Sequence, residues 1–168
     1  MEWKIIFSVF LISCYGYKIQ DQDDYDCYPP TLSRAWSYVA NTNSANLNAV
    51  WFTVESSNKD FEHAVEFCKN LGSGVTIAAI ENQLENNAVQ KLTTSMITFI
   101  GGVKSKNNDW YWVSGGKNEN GEKVSYTNWG NFKPSLSSNT NVIAIRDDGT
   151  WTDYGGDWHE KFACQYRC

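Results

Sequence analysis

The chain has 168 residues, of which 42% are hydrophobic and 20% are charged, and its net charge is −5 at neutral pH. This length and composition are typical of one globular domain that is large enough to bury a core. Phosphate binding needs concentrated positive charge, and an acidic chain without a lysine and arginine cluster lacks it, which excludes nucleic acid as the expected partner.

The first sixteen residues have the pattern of a secretory signal peptide. Lys4 precedes an apolar run at residues 5–14, and Gly16 supplies a small residue for cleavage. The run is too short to span a bilayer, and no later stretch approaches the roughly 18 apolar residues of a transmembrane helix. We therefore expect a secreted, soluble extracellular protein. An alternative interpretation takes Cys14, in LISC, as the lipidated cysteine of a bacterial lipoprotein.

Residues 17–48 are predicted to form an N-terminal extension to a domain at residues 49–168. The extension contains an acidic, solvated leader at 17–26, a turn at CYPP, and a polar loop at 41–48. The domain begins with a predicted strand at 49–56, AVWFTVES.

A helix is predicted within residues 58–74, where Asn58 or Asp60 can cap its start and Gly72 can end it. Its apolar residues fall on one helical face, which places Cys68 against the core. They are Phe61, Ala64, Val65, Cys68 and Leu71.

The order of the remaining predicted elements indicates the fold class. A short strand at 75–80 precedes a second, more polar helix within 81–95, whose inward residues are predicted to be Leu84, Ala88 and Leu92. Short strands then follow at 97–103, 109–115, 124–130, 141–147, 149–154 and 161–167. Helices followed by a strand-rich half predict an α+β domain and not a βαβ repeat.

The cysteines predict an oxidising compartment. Without the signal peptide, an even number remains, so two disulfides are expected, with three possible connectivities. These cysteines are Cys27, Cys68, Cys164 and Cys168. A zinc site is the rival interpretation, but there is no C-x-x-C pair, and His63 and His159 lie in unrelated contexts.

Several motifs, in order and at matching spacing, resemble those of the C-type lectin-like domain. They are Cys68 in AVEFCKNLG, FIGG at 99–102, WYWVSGGKNENGEKVSYTNW at 110–129, GTWTDY at 149–154, and Cys164 in FACQ. The resemblance covers residues 49 to 168. It implies an α+β fold with two helices, small antiparallel sheets and a long irregular loop region.

The resemblance also implies a disulfide pattern. Cys68 is expected to pair with Cys164, which leaves Cys27 to pair with Cys168. The second bridge of the family would need cysteines at the positions of Asn141 and Gly156. Since both are absent, the long loop is expected to be held by packing alone and to move more than is usual in the family.

In family members that bind sugar, a calcium ion and the sugar share ligands in this loop. Calcium needs six to eight oxygen ligands, several of them carboxylates. The corresponding positions here are Lys133, Pro134, Ser135, Asn139, Thr152 and Asp153, of which only Asp153 is acidic. An ammonium group at Lys133 would repel a divalent ion, so no cofactor is expected, and Lys133 is predicted to pair with Asp153 instead.

Three interpretations of the loop stay open: a relic, a site recruited for calcium-independent recognition, or a metal site rebuilt from Asp147, Asp148 or Asp157. Trp110, Tyr154 and Trp158 are predicted to be exposed, and Trp158 is a candidate ligand contact that could stack on a sugar or anchor a protein. The other aromatic residues on strands are predicted to be core. They are Trp51, Phe99, Trp112, Trp129, Trp151 and Phe162.

The sequence does not favour an enzyme. His63 is predicted to be solvated, and His159 lies near Asp157 and Glu160 without a nucleophile motif. Asp147 and Asp148 are adjacent, so their side chains point to opposite sides and make a poor acid/base pair.

The predicted function is that of a secreted recognition module that binds a glycan or protein on a cell or microbial surface. Immunity is the expected role of such a module. Its candidate ligand-binding residues are Lys133, Ser135, Asn139, Thr152, Asp153 and Trp158. The alternative is a calcium-dependent carbohydrate-binding lectin with a rebuilt site.

Overall fold

A computed structural model describes residues 28–31, 34–39, 49–113, 121–135 and 137–167. In these ranges the elements are β1 Ser37–Val39, β2 Val50–Lys59, α1 Phe61–Asn70, β3 Val75–Ile77, α2 Gln83–Leu92, β4 Thr98–Lys104, β5 Trp110–Trp112, β6 Val142–Ile145, β7 Trp151–Tyr154 and β8 Glu160–Arg167. The α+β class is as predicted. No helix in the described part of the chain is long and apolar enough to cross a membrane.

The strands form a mixed sheet in the order β1-β2-β8-β4-β6-β7, with β3 paired to β8 and β5 paired to β4. The pair β4 and β8 is parallel, with Phe99 opposite Phe162, and the other pairs are antiparallel. Strand β7, which carries Asp153, is the last strand in this order and pairs with β6. Asp153 therefore lies close to the segment that precedes β6 in the chain.

Helix α1 begins where its capping residue predicts. The side chain of Asp60 accepts a hydrogen bond from the backbone N–H of His63 and so satisfies one free donor of the first turn. Asn58, the alternative cap, lies in β2. The helix ends at Asn70, two residues before Gly72, whose φ of 147° is unfavourable for other residues.

The inward face of α2 differs from the prediction at one position. Ala88 is buried and Leu92 is half-buried, but Leu84 is 52% exposed. The polar side chain of Asn86 points inward in its place. It donates to the Gly149 carbonyl and accepts from Trp151 Nε1 at 2.7 Å. These bonds tie α2 to the turn between β6 and β7.

Two hydrophobic clusters cover the two faces of the sheet. One packs α2 against alternate residues of the strands and includes Phe52, Ile143 and Trp151. The other lies under α1 and contains the Cys68–Cys164 disulfide, which confirms the predicted pairing of these cysteines. The predicted Cys27–Cys168 bridge lies outside the described residues.

The aromatic residues correct two predictions. Phe99, Trp112, Trp151 and Phe162 are buried as predicted, whereas Trp51 and Trp129 are only half-buried. Trp110 and Tyr154, predicted to be exposed, are also half-buried. Trp110 packs on Trp129, with ring centroids 5.3 Å apart, and Tyr154 packs on Phe99 at 6.1 Å.

Two strand predictions also need correction. Residues 124–130 form no strand, and the neighbouring pairing consists of isolated bridges, Tyr111 to Lys123 and Trp129 to Trp151. Strand β1 pairs with β2 although it lies in the predicted N-terminal extension. The sequence pattern thus predicts a strand at 124–130 that does not form and misses β1, because strand formation depends on the segment that pairs with it as well as on its own residues.

Candidate functional site

The candidate site centres on the carboxylate of Asp153, in β7 opposite Ile143 of β6. The Asp153 side chain is completely buried, with 0% exposure. A buried carboxylate is costly unless it is paired and hydrogen-bonded, so its partners define the chemistry of the site.

Four donors from the long loop, defined here as residues 127–135 and 137–141, surround this carboxylate. Lys133 Nζ and the backbone N–H of Ser135 donate to Oδ1, at 3.1 and 2.9 Å. The hydroxyls of Ser135 and Thr140 donate to Oδ2, at 2.6 and 2.5 Å. The predicted pairing of Lys133 with Asp153 is therefore present, within a larger network than the sequence suggested.

This network sets the charge of the buried group. Burial raises the pKa of Asp153, but the hydrogen bonds from Ser135, Thr140 and Lys133 outweigh it and lower the pKa from 3.8 to about 2. Asp153 is therefore ionised at neutral pH and holds two separate parts of the long loop against β7.

The positions of the missing family disulfide are joined by a different contact. The backbone N–H of Gly156 donates to Asn141 Oδ1 at 2.9 Å. The backbone of Asn141 also donates to the Tyr154 carbonyl and accepts from the Lys104 N–H, both at 2.9 Å. The expectation that packing alone holds this loop is thus wrong, because hydrogen bonds fix its end. Its greater mobility stays a prediction.

Three other predicted ligand-binding residues lie apart from the Asp153 network. Asn139 is exposed, and its side chain accepts from the Ser138 hydroxyl. Thr152 is buried and neighbours Asp153 on β7, so its side chain points to the opposite side of the strand. Trp158 is 65% exposed as predicted, and it packs on Tyr154 at 6.4 Å.

Thr140 is the member of the network that the sequence did not identify. The resemblance to the family pointed to Asn139, but the hydroxyl of the next residue, Thr140, reaches the carboxylate. The sequence does show that Thr140, like Asn139, has a side-chain oxygen. Both residues lie in an irregular segment, however, where the sequence does not show which side chain points toward Asp153.

The base of the long loop is fixed by backbone and aromatic contacts. Gly130 N–H donates to the Trp151 carbonyl, and Trp129 packs on Trp151 with ring centroids 5.8 Å apart. Phe132, on the turn that follows, is 99% exposed and has a φ of 59°, which is rare for a bulky residue. The turn therefore holds an aromatic ring out into solvent.

The acidic residues considered for a rebuilt metal site are not gathered together. Asp148 accepts from the hydroxyl and N–H of Thr150 in a tight turn, and these bonds lower the pKa of Asp148. Asp147 and Asp157 are exposed. Within the described ranges, no group of three or more histidine, cysteine, aspartate or glutamate side chains is placed to hold a metal.

Both histidines lie on the surface of the described part of the chain. His63 is exposed and its ring contacts the Asp60 carboxylate at 2.7 Å, next to the helix cap. His159 is also exposed. These positions match solvated surface residues.

The two helices, the mixed sheet and the long loop beside β7 define a C-type lectin-like fold. A family model described as the lectin C-type domain matches residues 57–166. The chain therefore belongs to the C-type lectin domain family. A comparison with curated protein sequences gave no match.

Solved structures with this fold are similar to the chain at low sequence identity. Human lithostathine has a TM-score of 0.61 and 22% identity over 71% of this chain and 92% of its own. The carbohydrate-recognition domain of the mouse scavenger receptor C-type lectin has a TM-score of 0.63 and 20% identity over 77% and 91%. A C-type lectin from Cucumaria echinata has a TM-score of 0.59 and 18% identity over 69% and 89%. These likenesses show the fold.

Proposed function

We propose that the protein is a secreted recognition module that binds a glycan or a protein on a cell or microbial surface without calcium. The observation that carries this proposal is the Asp153 carboxylate, whose two oxygens are already occupied by donors of the same chain. The apolar N-terminal run and the Cys68–Cys164 disulfide support an extracellular location.

The side chains at this position suit calcium poorly. Calcium takes six to eight oxygen ligands, with carboxylates among them, and Asp153 is the acidic member of the network. The Lys133 ammonium lies 3.1 Å from Asp153 Oδ1, where it would oppose a divalent ion. An internal cation and two hydroxyls thus take the role that a metal would have in shaping the loop.

The contact surface in this proposal is the solvent-facing side of the long loop together with Trp158. Phe132 and Trp158 are 99% and 65% exposed, and large exposed aromatic side chains are frequent anchors in recognition. Ser135 and Thr140 direct their hydroxyls inward to Asp153, so the aromatic rings and Asn139 are what a ligand would meet first.

Glycan-array binding, measured in millimolar calcium and again in chelator, tests the proposal. We expect the same set of signals in both buffers, and weaker signals for Trp158→Ala and Phe132→Ala. Met96→Ala is the matched control, because Met96 is 78% exposed and lies before β4, outside the long loop. Signals that disappear in chelator would favour the alternative, a calcium-dependent lectin with a rebuilt site.

If the glycan array gives no signal in either buffer, an assay of binding to cell surfaces tests whether the protein has a protein ligand. We expect binding that survives chelator and falls in the Phe132→Ala and Trp158→Ala variants. An unchanged level for both variants would show that the long loop with Trp158 is not the contact surface.

A further inference from the structure

A cleft of about 360 Å³, named the α1 cleft, lies beside the start of α1. It is lined by the first residues of α1, the end of β4 and the segments at Asn141 and Gly156, and it is separate from the Asp153 network. Ligand pockets in proteins commonly have volumes of roughly 300 to 1,000 Å³. The cleft is therefore large enough for an amino-acid side chain.

The floor of the α1 cleft is apolar. It contains Phe61, Val65, Val113 and Val142, and each of these residues keeps only 2% to 7% of its surface exposed. Gly156 leaves one wall open, because a Cβ there would lie 3.2 Å from Val142 Cγ1 and 3.5 Å from Phe61 Cβ. An apolar group that enters the cleft leaves water and covers what remains exposed of these side chains.

The charged side chains around the α1 cleft give it no preference for an ion of either sign. Asp60 accepts from a backbone N–H of the first turn of α1 at 2.9 Å, and Lys104 Nζ donates to a carbonyl of the long loop at 2.7 Å. Glu62 also has a partner. Asp157 is exposed and shares the rim with Lys104 and the positive end of the α1 dipole, which have the opposite sign. An uncharged group therefore fits the cleft.

The α1 cleft adjoins the contact surface proposed above. Asn141, which lines the cleft, is the last residue of the long loop. A Cβ at Gly155 would lie 2.9 Å from Trp158 Cδ1, so the exposed Trp158 ring rests on the segment that forms the wall of the cleft. A ligand that covers Trp158 can therefore reach into the cleft.

The apolar floor separates the two kinds of ligand that the proposed function leaves open. A sugar ring carries hydroxyl groups on most of its carbons, and a hydroxyl placed on the valine side chains would lose its hydrogen bonds to water without replacement. An aliphatic or phenyl side chain has no such bonds to lose and gains from leaving water. The α1 cleft therefore suits a protein ligand better than a glycan.

We propose that the α1 cleft is the anchor pocket for a protein partner and takes one uncharged apolar side chain of that partner, of leucine or phenylalanine size. This inference rests on the proposed function, since it names the kind of ligand that the contact surface binds. Trp158 then contacts the partner beside the anchor. Such an anchor in a desolvated pocket, surrounded by weaker contacts, is typical of protein interfaces.

Capped amino acids, which carry a side chain but no terminal charge, are the probes for the α1 cleft. We would titrate N-acetyl-leucinamide and N-acetyl-phenylalaninamide into the full chain and follow amide chemical shifts by NMR. We expect saturable shifts at Phe61, Val65 and Gly156, and weaker binding of N-acetyl-lysinamide and methyl glucoside. Equal or tighter binding of either comparison probe, or the absence of saturable shifts at these three residues, would overturn the proposal.

Two variants of the lining locate the probes in the α1 cleft. Gly156→Leu places a side chain in the cleft and should abolish binding of both apolar probes. Asn70→Leu is its control, because it adds the same side chain at the exposed end of α1 and should leave binding unchanged. Equal effects of the two variants would contradict the assignment to the cleft.

Val65→Thr tests the floor with almost no change in shape, and it keeps the proposal testable if Gly156→Leu does not fold. It replaces one methyl group by a hydroxyl, so it should weaken binding of the apolar probes about two- to fivefold. Unchanged affinity in this variant would overturn the proposal.

Binding to cell surfaces separates a failure of this inference from a failure of the proposed function. We expect Val65→Thr to lower binding, as Trp158→Ala and Phe132→Ala do, and we expect protease treatment of the cells to remove it while enzymatic removal of glycans does not. A loss in the Trp158 and Phe132 variants with no change in Val65→Thr, or a loss after removal of glycans alone, would overturn the inference and leave the proposed function standing. No change in any of the three variants would overturn both.

Discussion

At the scale of single residues, Asp153 keeps a charge in a fully buried position because its own loop provides the compensation. Lys133 contributes the opposite charge, and Ser135 and Thr140 contribute hydroxyl donors. Removal of one partner would leave a buried group unsatisfied, which costs more than the net value of a hydrogen bond. The network is thus a sensitive point of the loop.

The lowered pKa of Asp153 predicts a pH dependence of stability. The folded-state pKa of about 2 lies below the ordinary value of 3.8, so the contribution of Asp153 to the free energy of unfolding is complete above about pH 5 and is lost as the pH falls through 2. The free energy involved is about 2 kcal/mol. In chemical denaturation at several pH values, the stability difference between wild type and Asp153→Asn should shrink over this range.

The control for this experiment is Asp147→Asn, which alters an exposed carboxylate. Its effect on stability should be small at each pH, because surface substitutions usually change the free energy of unfolding by less than about 0.5 kcal/mol. If the Asp153→Asn difference does not change with pH, the network does not hold the charged form.

The Lys133–Asp153 pair predicts a measurable coupling. The Asp153 side chain is buried and Lys133 is 25% exposed, so we expect about 1 to 2 kcal/mol, since hydrogen bonds to charged groups exceed neutral ones. A double-mutant cycle of Lys133→Ala and Asp153→Ala measures it.

The Lys123–Asp109 pair is the matched control for that cycle. Its side chains are 62% and 43% exposed at a distance of 2.9 Å, so its coupling should be smaller. Equal couplings in the two cycles would mean that burial adds nothing to the Lys133 contact.

At the scale of helices and strands, local signals explain which predictions succeeded. Helix α1 carries its cap, its apolar face and its terminating glycine within a few residues, and all of these act locally. For α2, the sequence could not show that Asn86 bonds to Gly149 and Trp151, 63 and 65 residues away. For the same reason, the sequence did not show that Thr140 donates to Asp153. The importance of Asp153 itself was predictable only through the family pattern.

Close packing between β4 and β6 predicts that Gly102 tolerates no side chain. A Cβ at this position would lie 2.3 Å from Ile143 Cδ1 and 2.9 Å from Ile143 Cβ in the core. Gly102→Ala should therefore destabilise the fold by about 1 to 3 kcal/mol, the usual cost of overpacking. Gly130→Ala is the comparison, since its nearest contact is 3.2 Å. Denaturant unfolding of both variants measures the difference, and equal losses would argue against the β4–β6 clash.

At the scale of the whole molecule, family membership determines the fold, whereas the residues on the surface determine which ligand is bound. The relatives of known structure share 18% to 22% identity with the chain, which is enough to share the fold. Function depends on the groups placed on that fold. Here the long loop presents the Phe132 ring outward and directs the hydroxyls of Ser135 and Thr140 inward to Asp153, an arrangement that residue types alone did not reveal.

The second predicted disulfide concerns the ends of the chain. We expect non-reducing peptide mapping of the protein to recover one fragment that links Cys27 to Cys168, besides the Cys68–Cys164 fragment. Such a bridge would join the N-terminal extension to the C-terminus and limit the unfolded chain. A free thiol at either residue would refute the pairing.

Thermal unfolding in millimolar calcium and in chelator tests the central claim most directly. A ligand that binds only the folded state raises the unfolding temperature by mass action, so a calcium site would appear in this comparison whatever the biological ligand is. With the Asp153 oxygens taken by Lys133, Ser135 and Thr140, we predict the same unfolding temperature in both buffers. A clear rise in calcium would contradict the account.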